Sequence, residues 1–212
     1  MITLADYLTV KKQAEYTFTE KKSRFIGYIK PCTDEAQAIE FVNFIKKKHS
    51  DARHNVYAYV LRENNKQRYS DDGEPQGTGG LPVLEVITKK GLVDVCVVVT
   101  RYFGGILLGT GGLTRAYSEG CKGAVNASGI VLMSECQCFD IECDYGFYNT
   151  LQSIFIKFGA QIEKSDFSDS VKLSCYIKQE SLGKLFDEIK EKFSGKVVPK
   201  LSEKKYFAFD AE

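Results

Sequence analysis

Arg101-Tyr102-Phe103-Gly104-Gly105-Ile106-Leu107-Leu108-Gly109-Thr110-Gly111-Gly112-Leu113 is the stretch around which the chain is organised. The run before it, Val93 to Thr100, is rich in β-branched residues and predicts a buried strand. The run after it, Leu113 to Asn126, has helical spacing. The order is therefore strand, glycine loop, helix, with an arginine at the strand end. Glycines at this density let a backbone or a ligand approach closely. A helix start also points unpaired N–H groups outward, which suits an anion. The plain alternative is a tight turn with no ligand. The segment is no P-loop, because no Gly-Lys-Ser/Thr follows the glycines. It also lacks the G-x-G-x-x-G spacing of a dinucleotide fingerprint.

Upstream there is an echo. Gly77-Thr78-Gly79-Gly80-Leu81 recurs as Gly109-Thr110-Gly111-Gly112-Leu113. Both copies precede a predicted helix, and both threonines stand where a cap belongs. Two helix starts facing one another, with Arg101 or Arg115 beside them, would form an anion-attracting hollow. Between the copies, Leu81 to Lys89 predicts a helix with Pro82 in its first turn and Gly91 as its stop. Before the first copy lies the polar loop Asp71-Asp72-Gly73-Glu74-Pro75.

Earlier still, Tyr16 to Cys32 contains strand-like Ser23 to Ile29. Thr33 is the expected cap of a helix whose stripe is Ala38, Ile39, Phe41, Val42 and Ile45. Asn55 to Leu61 predicts a strand, and Gln67 to Ser70 a short one that pairs back across the Glu63–Lys66 turn.

A boundary is expected near residues 126–135, dividing the chain into 1–132 and 133–212. Beyond it, Phe139, Ile141 and Cys143 alternate as a strand. Phe147, Leu151, Ile154, Phe155 and Phe158 form a helical stripe stopped at Gly159. Two strands follow, Ala160 to Phe167 and Val171 to Ile177. A second helix carries Leu182, Leu185, Phe186, Ile189 and Phe193, and Val197 to Phe209 closes as a strand. That βαββαβ order is a ferredoxin-like plait, so the chain is expected to be α+β.

The net charge of +1 argues against holding nucleic acid by bulk charge. The distribution is uneven, however. Residues 1–134 carry 18 Lys+Arg against 14 Asp+Glu, and residues 135–212 carry 11 against 14, so 18 − 14 = +4 and 11 − 14 = −3. All six arginines lie in the first part. Guanidinium forks onto phosphate or carboxylate, so polar recognition is expected there. Seven cysteines without C-x-x-C pairs predict buried thiols in a reduced, cytoplasmic protein rather than a zinc site. Met1 to Gln13 has no apolar run suited to export or membrane spanning.

The binding surface expected from these residues comprises Arg24, His54, Arg68, Thr78, Arg101, Tyr102, Gly104, Gly105, Thr110, Gly111, Gly112 and Arg115. Tyr69, Tyr102 and Tyr117 are expected to be exposed for base stacking. An enzymatic alternative gathers Asp71, Asp72, Glu74 and His54 as metal ligands or an acid/base set. Against it, the chain has only His49 and His54 and no G-x-S-x-G motif. The loop Asp71, Asp72, Gly73 and Glu74 can equally be a turn whose carboxylates cap backbone N–H groups or pair with Arg68 and Arg101. No catalytic residue, metal or cofactor is implied.

Tyr69-Ser70-Asp71-Asp72-Gly73-Glu74-Pro75, Gly77-Thr78, Arg101-Tyr102-Phe103-Gly104-Gly105 and Gly109-Thr110-Gly111-Gly112-Leu113 together resemble the IMPACT/YigZ family over residues 15–128. The resemblance implies an N-terminal domain of the ribosomal protein S5 domain 2-like type. The C-terminal half looks like the extra domain of bacterial members, and the pair is similar to the last two domains of elongation factor G. Eukaryotic relatives regulate translation under amino-acid stress by competing for an activator of an initiation-factor kinase. Some bacterial members carry a proline dipeptidase label. His54 fits the family's place for a histidine in the second strand, and Gly79 stands where a small residue such as Ala is expected. The function expected is a non-catalytic regulator binding the ribosome, RNA or a translation factor. The alternatives are the metal-dependent hydrolase and a protein-interaction module without nucleic acid.

Overall fold

The computed structural model describes residues 6–210; residues 1–5 of the Met1–Gln13 stretch, and 211–212, lie outside the described residues. The chain divides into two compact units, one built on Tyr7–Leu132 and the other on Met133–Ala208.

The first unit opens with β1 (Tyr7–Val10), β2 (Ala14–Glu20), β3 (Ser23–Pro31), α1 (Glu35–Lys48) and β4 (His54–Val60). A short 3-10 turn (Glu63–Asn65) then precedes β5 (Gln67–Ser70), α2 (Gly80–Lys89), β6 (Val95–Tyr102) and α3 (Thr110–Ser128). The sheet order is β2-β3-β6-β4-β5, with each neighbouring pair antiparallel. Lys21 and Lys22, both at positive φ, make the two-residue β2–β3 turn. β6 is central and covered on both faces, which is why it reads as a continuous apolar run rather than an alternating one.

Its two faces pack separate cores. Val97 and Val99 meet α2 and α3 through Val83, Ile87, Leu113 and Tyr117. Cys96 and Val98 meet α1 through Ala38, Phe41, Val42 and Ile45. α3 lies close on the sheet because glycines remove side chains at the crossing. A Cβ on Gly27 would come within 2.2 Å of the Gly120 carbonyl oxygen, and one on Gly123 within 1.9 Å of the Tyr16 ring.

The cap of α1 differs from expectation. Asp34 Oδ1 accepts from Gln37 N–H at 2.8 Å, while Thr33 Oγ1 takes the Gln37 side-chain amide at 3.0 Å. The shorter spacing to the third helical N–H favours Asp34.

The second unit contains most of β7 (Ile130–Cys143), then α4 (Tyr145–Phe158), β8 (Gln161–Phe167), β9 (Val171–Lys178), α5 (Gln179–Lys192) and β10 (Lys200–Asp210). Its strands run β8-β9-β7-β10, the ferredoxin-like order. Gly159, left-handed, ends α4, and Phe139, Leu151, Phe155, Leu185 and Ile189 fill the core. All seven cysteines are free and buried. Among the described residues no helix is long and apolar enough to cross a membrane.

Candidate anion-binding pocket

The Asp71–Pro75 loop is the structural hub of the first unit. Asp71 Oδ1 accepts from Gly79 N–H at 2.9 Å and Gly80 N–H at 2.8 Å, and Oδ2 accepts from Gly77 N–H at 2.9 Å. The start of α2 is therefore already filled by a carboxylate of the same chain. Thr78 does not cap it. Its hydroxyl donates back to Pro75 O at 2.7 Å, and the side chain is buried.

Asp72 is equally committed, accepting from Lys46 Nζ at 2.5 Å and Asn55 N–H at 2.7 Å. Glu74 is buried and accepts from Arg101 Nη1 and Tyr117 Oη, each at 2.7 Å. Burial beside the Glu74 carboxylate pushes the Tyr117 phenol far above its ordinary range. Tyr117 is thus a core donor rather than an exposed stacking platform. Its place in the i, i+3, i+4 stripe Leu113, Ala116, Tyr117, Gly120, Cys121 signals this in the sequence.

The start of α3 is different. Gly109, at φ 72°, carries no side-chain cap, and no acidic residue lies in the first turn. Gly109 and Thr110 border a pocket of about 390 Å³ also lined by Arg53, His54, Glu74, Arg101, Phe103 and Leu107. Arg101 is 5% exposed, and its Nε is buried with no hydrogen-bond partner. The Arg101 guanidinium carbon also lies 5.4 Å from the Phe103 ring centre. Arg53 is exposed. An open helix start and Arg53 at the margin bias the pocket toward anions, while Glu74 in the same lining is balanced by Arg101. Phe103 and Leu107, at 42% and 82% exposure, add apolar surface beside it.

The anticipated surface splits into at least three places, in part because successive strand residues face opposite ways. His54, Arg101 and Thr110 gather in the pocket. Arg24 and Tyr102 pair across β3 and β6 on the α1 side, with the Arg24 guanidinium 4.4 Å from the Tyr102 ring centre. Tyr102 there donates to Asp51 at 2.8 Å and lies 2.9 Å from His49 Nδ1. Burial, with Lys48 and Arg24 nearby, lowers the pKa of His49. Arg68 stands on β5, 3.7 Å from Glu35. Exposed Arg115 borders a separate hollow of about 310 Å³ with Phe18, Lys21 and Glu119.

The glycines also divide. A Cβ on Gly104 would sit 2.0 Å from Lys22 backbone, so close packing requires that glycine. On Gly112 it would meet Leu108 Cβ at 2.9 Å, whereas Gly111 has only Arg115 Nη1, at 3.8 Å. Gly105 adopts φ 83° in the loop. Arg53, one of the six arginines but not among the expected site residues, also lines the pocket. A larger hollow of about 520 Å³ lies on the second unit, but Lys164, Lys172 and Lys200 there are matched by Asp140, Glu142 and Asp166.

These features define a two-domain α+β protein in which a five-stranded, helix-covered domain precedes a ferredoxin-like one. The Impact N-terminal domain family matches residues 21–125, and a domain of unknown function, DUF1949, matches residues 141–196. The chain belongs to the IMPACT family. It is 37% identical to "IMPACT family member YvyE" of Bacillus subtilis over 194 residues, covering 91% of this chain and 89% of that one. Its match to "Protein IMPACT" of Rattus norvegicus, 36% identical over 98 residues, covers 43% of this chain and 30% of the rat protein. A solved structure titled "Crystal structure of an hypothetical protein" superposes with TM-score 0.60 at 27% identity, over 95% of this chain and 99% of that one.

Proposed function

We propose that this protein is a non-catalytic, translation-related binding protein that holds RNA through the pocket at the start of α3. The carrying observation is the contrast between two similar helix starts. That of α2 is filled by Asp71, while that of α3 opens uncapped onto a pocket containing Arg53 and Arg101. Backbone N–H groups and guanidinium are the usual phosphate contacts, and an exposed aromatic such as Phe103 suits a base. The binding is direct, to RNA alone or to RNA on the ribosome.

The hydrolase reading has weaker support, because Asp71, Asp72 and Glu74 are each held by donors of the fold. Carboxylates so engaged are poorly placed to bind an ion or take a substrate proton.

The test is fluorescence anisotropy with labelled single-stranded RNA over a salt series, followed by ribosome co-sedimentation. Affinity should fall steeply between about 50 and 200 mM salt, since each phosphate contact releases counterions. Arg53→Glu should weaken binding and flatten the salt slope by about 0.7 for one lost single-strand contact. Affinity indifferent to salt, or unchanged by Arg53→Glu, would overturn the proposal. Recovery of one partner protein that survives nuclease treatment, with no RNA bound, would favour the protein-interaction module.

A further inference from the structure

His54 carries a hydrogen-bond acceptor that the fold does not use. Its Nδ1 lies 2.9 Å from the Asp72 carbonyl oxygen. A carbonyl only accepts, so Nδ1 holds the ring proton and donates it. In the neutral ring, Nε2 is then an unprotonated acceptor. Nε2 lies 4.0 Å from Glu74 Oε1, beyond hydrogen-bond distance, and Glu74 already accepts from Arg101 and Tyr117. Gly73, at φ +86°, passes close to the ring: an added Cβ there would lie 3.4 Å from Nδ1.

The rest of the pocket offers mainly donors to an anion, from Arg53, Arg101 and the backbone of Thr110. A strand whose phosphate meets those donors leaves His54 Nε2 in need of a donor from the strand itself. Phosphate and deoxyribose within the DNA backbone offer only acceptors. The RNA backbone adds the 2′-hydroxyl, which can donate. We infer that His54 Nε2 accepts a ribose 2′-hydroxyl and makes this pocket selective for RNA over DNA. The inference rests on the reading of the pocket as a nucleic-acid site.

The probes are three labelled 12-mers of one base: oligo(rU), oligo(dU) and 2′-O-methyl oligo(rU). The methyl ether keeps the RNA-like sugar and removes the donor. With the unaltered protein, oligo(rU) should bind about 3- to 10-fold more tightly than either other probe, the worth of one net hydrogen bond. His54→Phe should bring the ratio of oligo(rU) to oligo(dU) affinity to about one, whatever it does to the affinity common to both probes. Salt-dependent binding of all three probes with equal affinity overturns the inference and leaves the RNA-binding proposal standing. Preference for oligo(rU) that persists in His54→Phe, or is shared by the 2′-O-methyl probe, also overturns it. Failure of every probe to bind defeats both readings.

Discussion

Replacing Asp71 with alanine should destabilise the first unit by about 3 kcal/mol, and the three accepted hydrogen bonds set the figure. Bonds to a charged acceptor are worth roughly 1.5–3 kcal/mol each, and loss of a helix cap alone costs about 1–2 kcal/mol. The three do not add in full. Gly77 is half-buried, so water can replace the carboxylate there, whereas Gly79 and Gly80 are buried and their donors are harder to satisfy. Asp71→Asn separates geometry from charge. Its carbonyl oxygen can keep the Gly79 and Gly80 bonds that Oδ1 makes, but its NH2 opposes Gly77 N–H, so about half the loss is expected. Urea unfolding followed by far-UV circular dichroism measures the difference, and a thermal midpoint on the order of 10 °C lower should accompany the alanine variant. Hydrogen exchange at the first turn of α2 should rise with it. An alanine variant within about 0.5 kcal/mol of the parent, the range of an ordinary surface change, would refute the assignment of Asp71 as the cap. If it also abolished a hydrolytic activity, the enzymatic reading would regain ground.

Gly27→Ala should cost about 1–3 kcal/mol, because its methyl group meets backbone at Gly120, whereas Gly111→Ala, with open space and a helical position, should be neutral or stabilising by up to about 1 kcal/mol; denaturant midpoints decide both. His49 is buried, 2.7 Å from Tyr28 Oη, and its pKa lies below the ordinary 6.5. The unfolded chain therefore binds this proton first. The stability His49 confers is complete above about pH 6.5 and is lost as pH falls toward the lowered value, so His49→Gln should flatten the acid side of a stability–pH curve. Burial pushes the thiols of Cys121 and Cys175 up to about 12 and those of Cys32 and Cys136 to about 11. Iodoacetamide at pH 8 should leave the folded protein unmodified by intact mass and label all seven cysteines in guanidinium.

Much of the fold was legible because its signals are local. The continuous Val95–Val99 run, the left-handed glycine after α4 and the βαββαβ order each depend on residues a few positions apart. Opposite facing of Arg101 and Tyr102 was legible too, since alternate strand residues diverge, yet grouping them by proximity in sequence joined two surfaces into one. Tyr117 shows the same fault on a helix. Its basic neighbour Arg115 suggested exposure, while the apolar stripe placed it inward. The choice between Thr33 and Asp34 lay below the resolution of propensity rules, because both are good caps and Gln37 bonds to each.

The two Gly-Thr-Gly-Gly-Leu copies mark the limit of local reasoning. Their residues are the same, both open helices, and neither threonine caps. What separates them is Asp71, which lies nine residues before Gly80 and has no counterpart at the second copy. A short polar sequence can specify a helix start without specifying what occupies it. Occupancy is decided by the segment that the fold brings alongside. At α2 that segment is a carboxylate loop, so the donors are satisfied and the site is structural. At α3 the facing residues are Arg53, His54, Glu74 and Arg101, and with Glu74 paired to Arg101 the charge left over is the positive one on Arg53. The same Glu74 that neutralises Arg101 through Nη1 leaves Nε without a partner, so the local charge is reduced while a donor remains. On the proposed reading, a polyanion there would be held by directed hydrogen bonds more than by charge density, in keeping with a net charge of +1.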